Sequence, residues 1–183
     1  GNMEKPMKRL DIGCWLLAVS AVMAACWSRA AGLPAEYVGV DYIESDAKNG
    51  QYIDTGYKPT RNTRIVADLD SMTRSGDWAA FFGVTSNNKC SDGIIFRYYE
   101  KSDLLNTWFL NNDSNGVKTP PLAGKRLAVE LKAGMLTVNN KTYPIDRTRG
   151  KPYDGSIYLF CANNGGSPWA CQAMRLYAFK IFE

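Results

Sequence analysis

Residues 126–145 read RLAVELKAGMLTVNNKTYPI, and the fold class follows from this stretch. Every second residue at its start is apolar: Leu127, Val129 and Leu131. This alternation is typical of a strand with one buried and one solvated face. Ala133-Gly134 and Asn139-Asn140 are pairs that tolerate the positive φ of tight hairpin turns. The stretch therefore predicts three consecutive antiparallel strands.

Similar short runs occupy the chain from Glu36 to its end. Each has four to eight β-branched and aromatic residues bounded by turn residues, and no sustained 3.6-residue apolar pattern interrupts them. Beyond residues 126–145, the predicted strands are 37–43, 51–57, 64–70, 78–84, 94–99, 106–110, 157–161 and 174–182. About ten short strands in one domain predict an all-β sandwich of two antiparallel sheets.

Composition limits both the size of the protein and its chemistry. A chain of 183 residues accommodates one domain with a core but not two. The net charge is only +4, so we expect no nucleic-acid partner. The sequence has no histidine, which excludes serine–histidine and cysteine–histidine mechanisms and the commonest zinc ligand. These limits favour a binding protein over an enzyme.

The N-terminal region, residues 1–35, is predicted to be an export leader. Lys5, Lys8 and Arg9 precede an uncharged apolar run over residues 12–26, which is the pattern of a secretory signal. The run is shorter than the roughly 20 residues of a membrane-spanning helix. Gly1 and Asn2, ahead of Met3, are interpreted as a cloning scar.

Two processing routes are consistent with this leader. Residues 28–30 and 33–35 offer small residues for ordinary signal cleavage, whereas residues 23–26, MAAC, resemble a bacterial lipoprotein box. In the second route, a lipid on Cys26 would be the only membrane attachment. In either route the mature domain covers residues 36–183 and lies in the bacterial periplasm, in the cell envelope or outside the cell.

The cysteines that follow the leader are Cys90, Cys161 and Cys171. An oxidising compartment permits disulfides, and a loop containing Gly165-Gly166 could bring Cys161 and Cys171 together. A Cys161–Cys171 disulfide is one prediction. The alternative is that all three are small apolar residues with free thiols.

Several short sequence motifs resemble those of a known family. Near the start of the mature chain they are residues 42–45 (YIES), 51–59 (QYIDTGYKP) and 62–64 (NTR). Further along they are 82–83 (FG), 124–126 (GKR), 158–160 (YLF), 163–166 (NNGG), 175–177 (RLY) and 179–181 (FKI). From about Glu36 to the end, the chain resembles the concanavalin-A-like lectin and glucanase family, with its laminin-G-like jelly rolls, of bacterial surface and secreted proteins. The resemblance implies a two-sheet jelly-roll sandwich, often carbohydrate-binding or adhesive and frequently holding calcium.

The glucanase branch of this family uses carboxylates spaced Glu-x-Asp-x-x-Glu on one strand, and no such string occurs here. Asp68 and Asp70 come nearest, because residues two apart on a strand share a face. We interpret them first as the solvated face of an alternating strand, and alternatively as calcium contacts.

Candidate ligand-binding residues are aromatic platforms for a pyranose ring and amides for its hydroxyls. The aromatic candidates are Trp78, Tyr98, Tyr99, Trp108 and Trp169; Trp78 and Trp108 lie in predicted strands, which favours a place in the core for these two. The amide candidates are Asn163 and Asn164, although their place in a turn-rich loop favours turn formation. If calcium binds, the predicted ligands are Asp92, Asn112 and Asp113, in loops rich in oxygen atoms.

The sequence therefore favours a non-catalytic binding module for a glycan or another cell-surface ligand. Two alternatives stay open: a glycoside hydrolase or lyase of the same fold, and a structural or adhesive domain that docks protein.

Overall fold

The structure is a computed structural model, which describes residues 40–47, 50–72, 74–86, 92–99, 102, 104–110, 117–122, 124–145 and 150–183. The predicted leader over residues 1–35 and two predicted calcium ligands, Asn112 and Asp113, lie outside these ranges. No helix within them is long and apolar enough to cross a membrane.

Fourteen strands form within the described ranges, and no α-helix does. The strands are β1 (Ile43–Ser45), β2 (Ile53–Asp54), β3 (Arg64–Asp70), β4 (Ala80–Thr85), β5 (Ile94–Tyr98), β6 (Leu104–Phe109), β7 (Val117–Pro121), β8 (Arg126–Lys132), β9 (Met135–Val138), β10 (Lys141–Pro144), β11 (Tyr158–Leu159), β12 (Ala162–Asn164), β13 (Ser167–Trp169) and β14 (Met174–Phe182).

The strands make two sheets. The first sheet has the order β1-β14-β3-β8-β9-β10, and the second has the order β13-β12-β4-β5-β6-β7, with β11 pairing to β4 and β2. All pairs are antiparallel except β12 with β4, which is parallel. The predicted all-β, two-sheet jelly-roll sandwich is confirmed.

The first sheet follows from the alternation of its sequence. Three cross-strand pairs between β3 and β8 are buried: Ile65 with Leu131, Ala67 with Val129 and Leu69 with Leu127. The two hairpins after β8 turn at Gly134, with φ 76°, and at Asn139 and Asn140, with φ 47° and 66°. The three consecutive antiparallel strands predicted for residues 126–145 are thus present.

One core lies between the sheets. It joins aliphatic residues of the first sheet to aromatic residues of the second, and Phe82 meets Phe179 of β14 edge to face at 5.3 Å. Within the second sheet, Phe81 packs on Phe96 and Tyr98 at 5.2 and 5.1 Å. The side chains that alternate with these core residues must therefore face away from the core.

Several strand bounds shift, as for β1 at Ile43–Ser45 in place of 37–43 and β2 at Ile53–Asp54 in place of 51–57, and two further segments differ in kind from their predicted form. The segment around Gly165 and Gly166, predicted to be a loop, forms a hairpin of β12 and β13 that turns at these two glycines, with φ 63° and 93°. Strand β7 was not predicted because it contains Pro120 and Pro121. It ends the strand order of the second sheet, where a missing N–H is tolerated.

Candidate functional site

The candidate site lies on the face of the second sheet that is turned away from the core. In β5, Ile95 and Arg97 alternate with core residues Ile94, Phe96 and Tyr98. Their cross-strand partners in β6 are Trp108 and Asn106 respectively. Ile95 and Trp108 form a second apolar cluster with Ala80 and Ala162, separate from the main core, and Trp169 packs against it.

Arg97 stands at the centre of this face. Its guanidinium carbon lies 4.4 Å from the ring centroid of Trp78, 4.1 Å from that of Trp108 and 5.7 Å from that of Trp169. Its Nε donates to Asn106 Oδ1 at 3.2 Å. We call these five residues the tryptophan–arginine cluster. Cation–π contacts with a desolvated guanidinium are worth about 2 kcal/mol or more, so Arg97 fixes the positions of the surrounding rings.

The members of the cluster differ in exposure. Arg97 and Trp108 are 3% and 4% exposed, whereas Trp78 and Trp169 are half-buried. Tyr99 packs edge to face on Trp78 at 5.5 Å. The Trp108 indole Nε1 has no hydrogen-bond partner among the residues that the structure describes. A buried donor without an acceptor costs about 1–3 kcal/mol, so this N–H is an unsatisfied polar group beneath the half-buried rings of Trp78 and Trp169.

Sequence reasoning identified part of this cluster. Trp78 and Trp169 were predicted ligand-binding residues, and the structure brings them to the same arginine. Trp108 was interpreted first as a core residue; it is buried, but in the separate cluster on the outer face rather than in the main core. Arg97 and Asn106 were missed. The available signal was the alternation of β5, which places Arg97 on the face opposite Phe96 and Tyr98.

Tyr98 does not belong to the site. It is fully buried in the main core, where its hydroxyl donates to the Ser71 carbonyl at 2.9 Å. The reason is its position one residue after Arg97, because adjacent strand residues face opposite sides of a sheet. A ligand on the outer face cannot reach it.

Asn163 and Asn164 shape the hairpin that carries Trp169. Asn163 is buried, its Nδ2 donates to the Ser156 carbonyl at 2.8 Å, and its Oδ1 accepts from the Gly166 N–H at 2.7 Å. Asn164 is half-buried and pairs with Ser167 across the hairpin. The side chain of Asn163 is thus engaged in holding the turn that precedes Trp169.

The carboxylates of β3 lie on the outer face of the other sheet. Asp68 accepts two hydrogen bonds of 2.9 Å from Arg126, and Asp70 Oδ1 accepts from the Met72 N–H at 3.1 Å. The hydrogen bond from Arg126 lowers the pKa of Asp68. The hydrogen bond from Arg64 lowers the pKa of Glu130, which lines the same surface depression as Asp68. A general acid needs a raised pKa, so neither Asp68 nor Glu130 has the character of the acid in a glycosidase pair.

Of the three predicted calcium ligands, the structure describes only Asp92. Asp92 Oδ1 accepts from Thr85 Oγ1 at 3.1 Å and from the Ser86 N–H at 3.3 Å, while Asn112 and Asp113 lie outside the described residues. Among the residues described, no group of three or more cysteines, aspartates and glutamates is placed to hold a metal ion. Calcium binding at Asp92 stays a prediction.

Cys161 and Cys171 meet at the base of the β12–β13 hairpin as free thiols. Cys161 is buried and Cys171 half-buried. The hydrogen bond between their side chains lowers the pKa of Cys171 to about 7, while the same contact and burial raise that of Cys161. The predicted partners are therefore adjacent, with Cys171 the more acidic thiol.

Comparison with known proteins gives structural neighbours only. No protein-family model matches the chain, and no curated protein shows significant sequence similarity to it. Domains LG4-5 of the mouse laminin α1 chain match with a TM-score of 0.51 and 14% identity, over 81% of this chain and 44% of that one. The K499G mutant of NanB sialidase from Streptococcus pneumoniae matches with a TM-score of 0.49 and 13% identity, over 78% and 25% of the two chains. This chain thus spans less than half of either neighbour, and the laminin similarity shows the fold alone.

Proposed function

We propose that the protein is a non-catalytic binding module that recognises a carbohydrate through the tryptophan–arginine cluster. The observation that carries this proposal is the convergence of Trp78, Trp108 and Trp169 on Arg97, on the face of the second sheet turned away from the core.

The chemistry of the cluster suits a sugar ring. Half-buried Trp78 and Trp169 present apolar ring surface for the C–H face of a pyranose. Because Arg97 already holds the rings in place, little side-chain freedom is lost on binding, and preorganisation of this kind raises affinity.

A glycan array, run with and without calcium, tests the proposal. We expect the wild-type protein to bind a defined set of glycans, and Trp78→Ala and Trp169→Ala to lose that binding while they keep the far-UV circular dichroism of the wild type. Tyr42→Ala is the matched control, because Tyr42 is an exposed aromatic residue that pairs with Tyr177 of the first sheet. It should bind as the wild type does.

Other results of the same experiment point elsewhere. Equal binding by all four proteins would place the site away from the cluster and refute the proposal. Release of shortened products from a bound polysaccharide would support the hydrolase or lyase alternative. Absence of glycan binding on the array, together with measurable binding of a protein, would support the adhesive alternative. Loss of binding on calcium removal would support the predicted requirement for calcium.

We also propose that the protein acts in the bacterial cell envelope or outside the cell, where glycan ligands are presented. Support comes from the charged start and apolar run of the N-terminal sequence. The intact mass of the protein isolated from its native host distinguishes the routes. Loss of the first 30 or 35 residues indicates ordinary cleavage, and an N-terminal lipidated Cys26 indicates anchoring. An unprocessed chain would contradict both.

A further inference from the structure

We propose that Cys161 and Cys171 form a reversible disulfide by exchange with a low-molecular-weight disulfide, and that this bond locks the hairpin carrying Trp169. The inference concerns the hairpin itself and does not depend on what the protein binds.

Backbone contacts enclose the two thiols. On one side of them, Ala162 pairs with Trp169, and on the other the Gln172 N–H donates to the Phe160 carbonyl at 2.8 Å. Between these contacts, the segment 160–162 contributes only Cys161, while the segment 169–172 contributes Ala170 and Cys171. Ala170 absorbs the extra residue with a φ of 56°. The two cysteines therefore lie opposite each other on two paired backbone segments of the same chain.

Neighbouring contacts keep Cys171 in place. It forms a parallel bridge with Ala80 at the start of β4, and the Ala80 N–H donates to the Ala170 carbonyl at 2.6 Å. The thiol of Cys161 shares a hydrogen bond with that of Cys171, and burial shields Cys161 from solvent. This arrangement assigns distinct roles, with the half-buried Cys171 as the attacking thiol and the buried Cys161 as the resolving thiol.

The exchange proceeds in two balanced steps. The Cys171 thiolate attacks one sulfur of oxidised glutathione, breaks its S–S bond and expels a glutathione thiolate, which takes up a proton. Cys161 then gives its proton to solvent and attacks the Cys171 sulfur of the mixed disulfide, which expels the second glutathione. The two protein thiols are oxidised to one disulfide, and one oxidised glutathione is reduced to two thiols. The low pKa of Cys171, about 7, favours its thiolate at neutral pH.

The bond would act directly on the position of Trp169. Trp169 lies two residues before Cys171, and the disulfide would close the loop from Cys161 to Cys171 around the whole hairpin. A closed loop has fewer unfolded conformations, so the hairpin should open less often once the bond has formed.

The test equilibrates the full chain in mixtures of reduced and oxidised glutathione, alkylates the remaining thiols and maps the peptides by mass spectrometry. We expect one tryptic peptide that contains both Cys161 and Cys171, since no lysine or arginine lies between them, and this peptide should be lighter than its reduced form by two hydrogen atoms. Dithiothreitol should reverse the link. In the oxidised protein, backbone amides of residues 162–169 should exchange hydrogen for deuterium more slowly than in the reduced protein.

Single variants separate the two roles. Cys161→Ser should accumulate a stable glutathione adduct on Cys171, whereas Cys171→Ser should leave Cys161 unmodified. Cys90→Ser is the control and should form the same link as the wild type. A link to Cys90, a wild-type chain that stays reduced in oxidised glutathione, or unchanged amide exchange in the hairpin would overturn the proposal. If a variant fails to fold, the equilibration of the wild-type protein with glutathione still tests the proposal.

Discussion

Gly83 lies where β4 and β5 approach too closely for a side chain. A Cβ at this position would sit 2.7 Å from the Ile94 carbonyl oxygen and 2.9 Å from the Ile95 Cα. Both atoms are backbone, so relief would require β5 to move away from β4, with which it is paired here. We therefore predict that Gly83→Ala lowers the free energy of unfolding by about 2 kcal/mol, as overpacking of a core does. Urea unfolding followed by circular dichroism measures the change.

Gly76 provides the control for this prediction. A Cβ there has nothing within 4 Å, and its φ lies outside the left-handed region. Gly76→Ala should shift stability by no more than about 0.5 kcal/mol in either direction. Equal destabilisation by both variants would mean that the loss at Gly83 does not come from the close strand approach.

Residue identity alone predicted only part of the site. The polar loop around Trp169 indicated an exposed ring, because burial is hard to arrange there, whereas the strand position of Trp78 favoured the core. Whether Tyr98 or Arg97 belongs to the cluster depends instead on which face of β5 each side chain occupies. In a strand buried on both sides, such as Ile94–Tyr98, apolar residues occupy both faces, so hydrophobicity cannot assign a side.

Two strands of the first sheet are linked by charge on their solvent face. Arg126 of β8 lies 2.9 Å from Asp68 of β3, and this contact lowers the pKa of Asp68. A carboxyl whose pKa is lower folded than unfolded stabilises the protein above its unfolded value, about 3.9, and loses that contribution as pH falls through the folded value. Because the pair is partly exposed, we predict that Asp68→Asn costs at most about 1 kcal/mol at pH 7. Urea unfolding should show the difference from wild type shrinking towards pH 3.

Asp154→Asn is the comparison at the same scale. The ion pair of Asp154 with Lys58 has a similar distance, 2.9 Å, but both side chains are more exposed, at 85% and 61%. Its removal should change stability less than removal of Asp68, because solvent screens an exposed pair. A loss for Asp68→Asn that is as large at pH 3 as at pH 7 would show that packing rather than charge links β3 and β8.

Whole elements were predictable where the alternation was regular. Strands β3, β8, β9 and β10 follow from their own sequences, including both hairpin turns. The β12–β13 hairpin did not, because its strands have three residues each and carry an asparagine pair and a proline. Its parallel pairing with β4 joins segments almost eighty residues apart. The tryptophan–arginine cluster depends on that pairing, so local sequence could not predict it.

Across the whole molecule, residues of both sheets share one core, and residues Asp41–Glu183 form one compact unit. A cavity made in the first sheet should therefore destabilise the second. We predict that Leu69→Ala, which truncates a fully buried side chain of β3, lowers the free energy of unfolding by about 2–5 kcal/mol in both sheets together. The reporter is tryptophan fluorescence in a background with Trp15→Phe and Trp27→Phe. The remaining tryptophans, Trp78, Trp108 and Trp169, then all lie on the second sheet or directly before it.

In that background, the fluorescence and far-UV circular dichroism transitions in urea should coincide and move together to lower urea, as in two-state unfolding. Val66→Ala is the control, because Val66 is a half-buried residue on the opposite face of the same strand and its truncation leaves the shared core intact. Its transitions should move much less. A Leu69→Ala protein whose circular dichroism transition moves while its fluorescence transition stays would show that the sheets unfold separately. In that case the tryptophan–arginine cluster would be supported by the second sheet alone, and its geometry would not depend on the first.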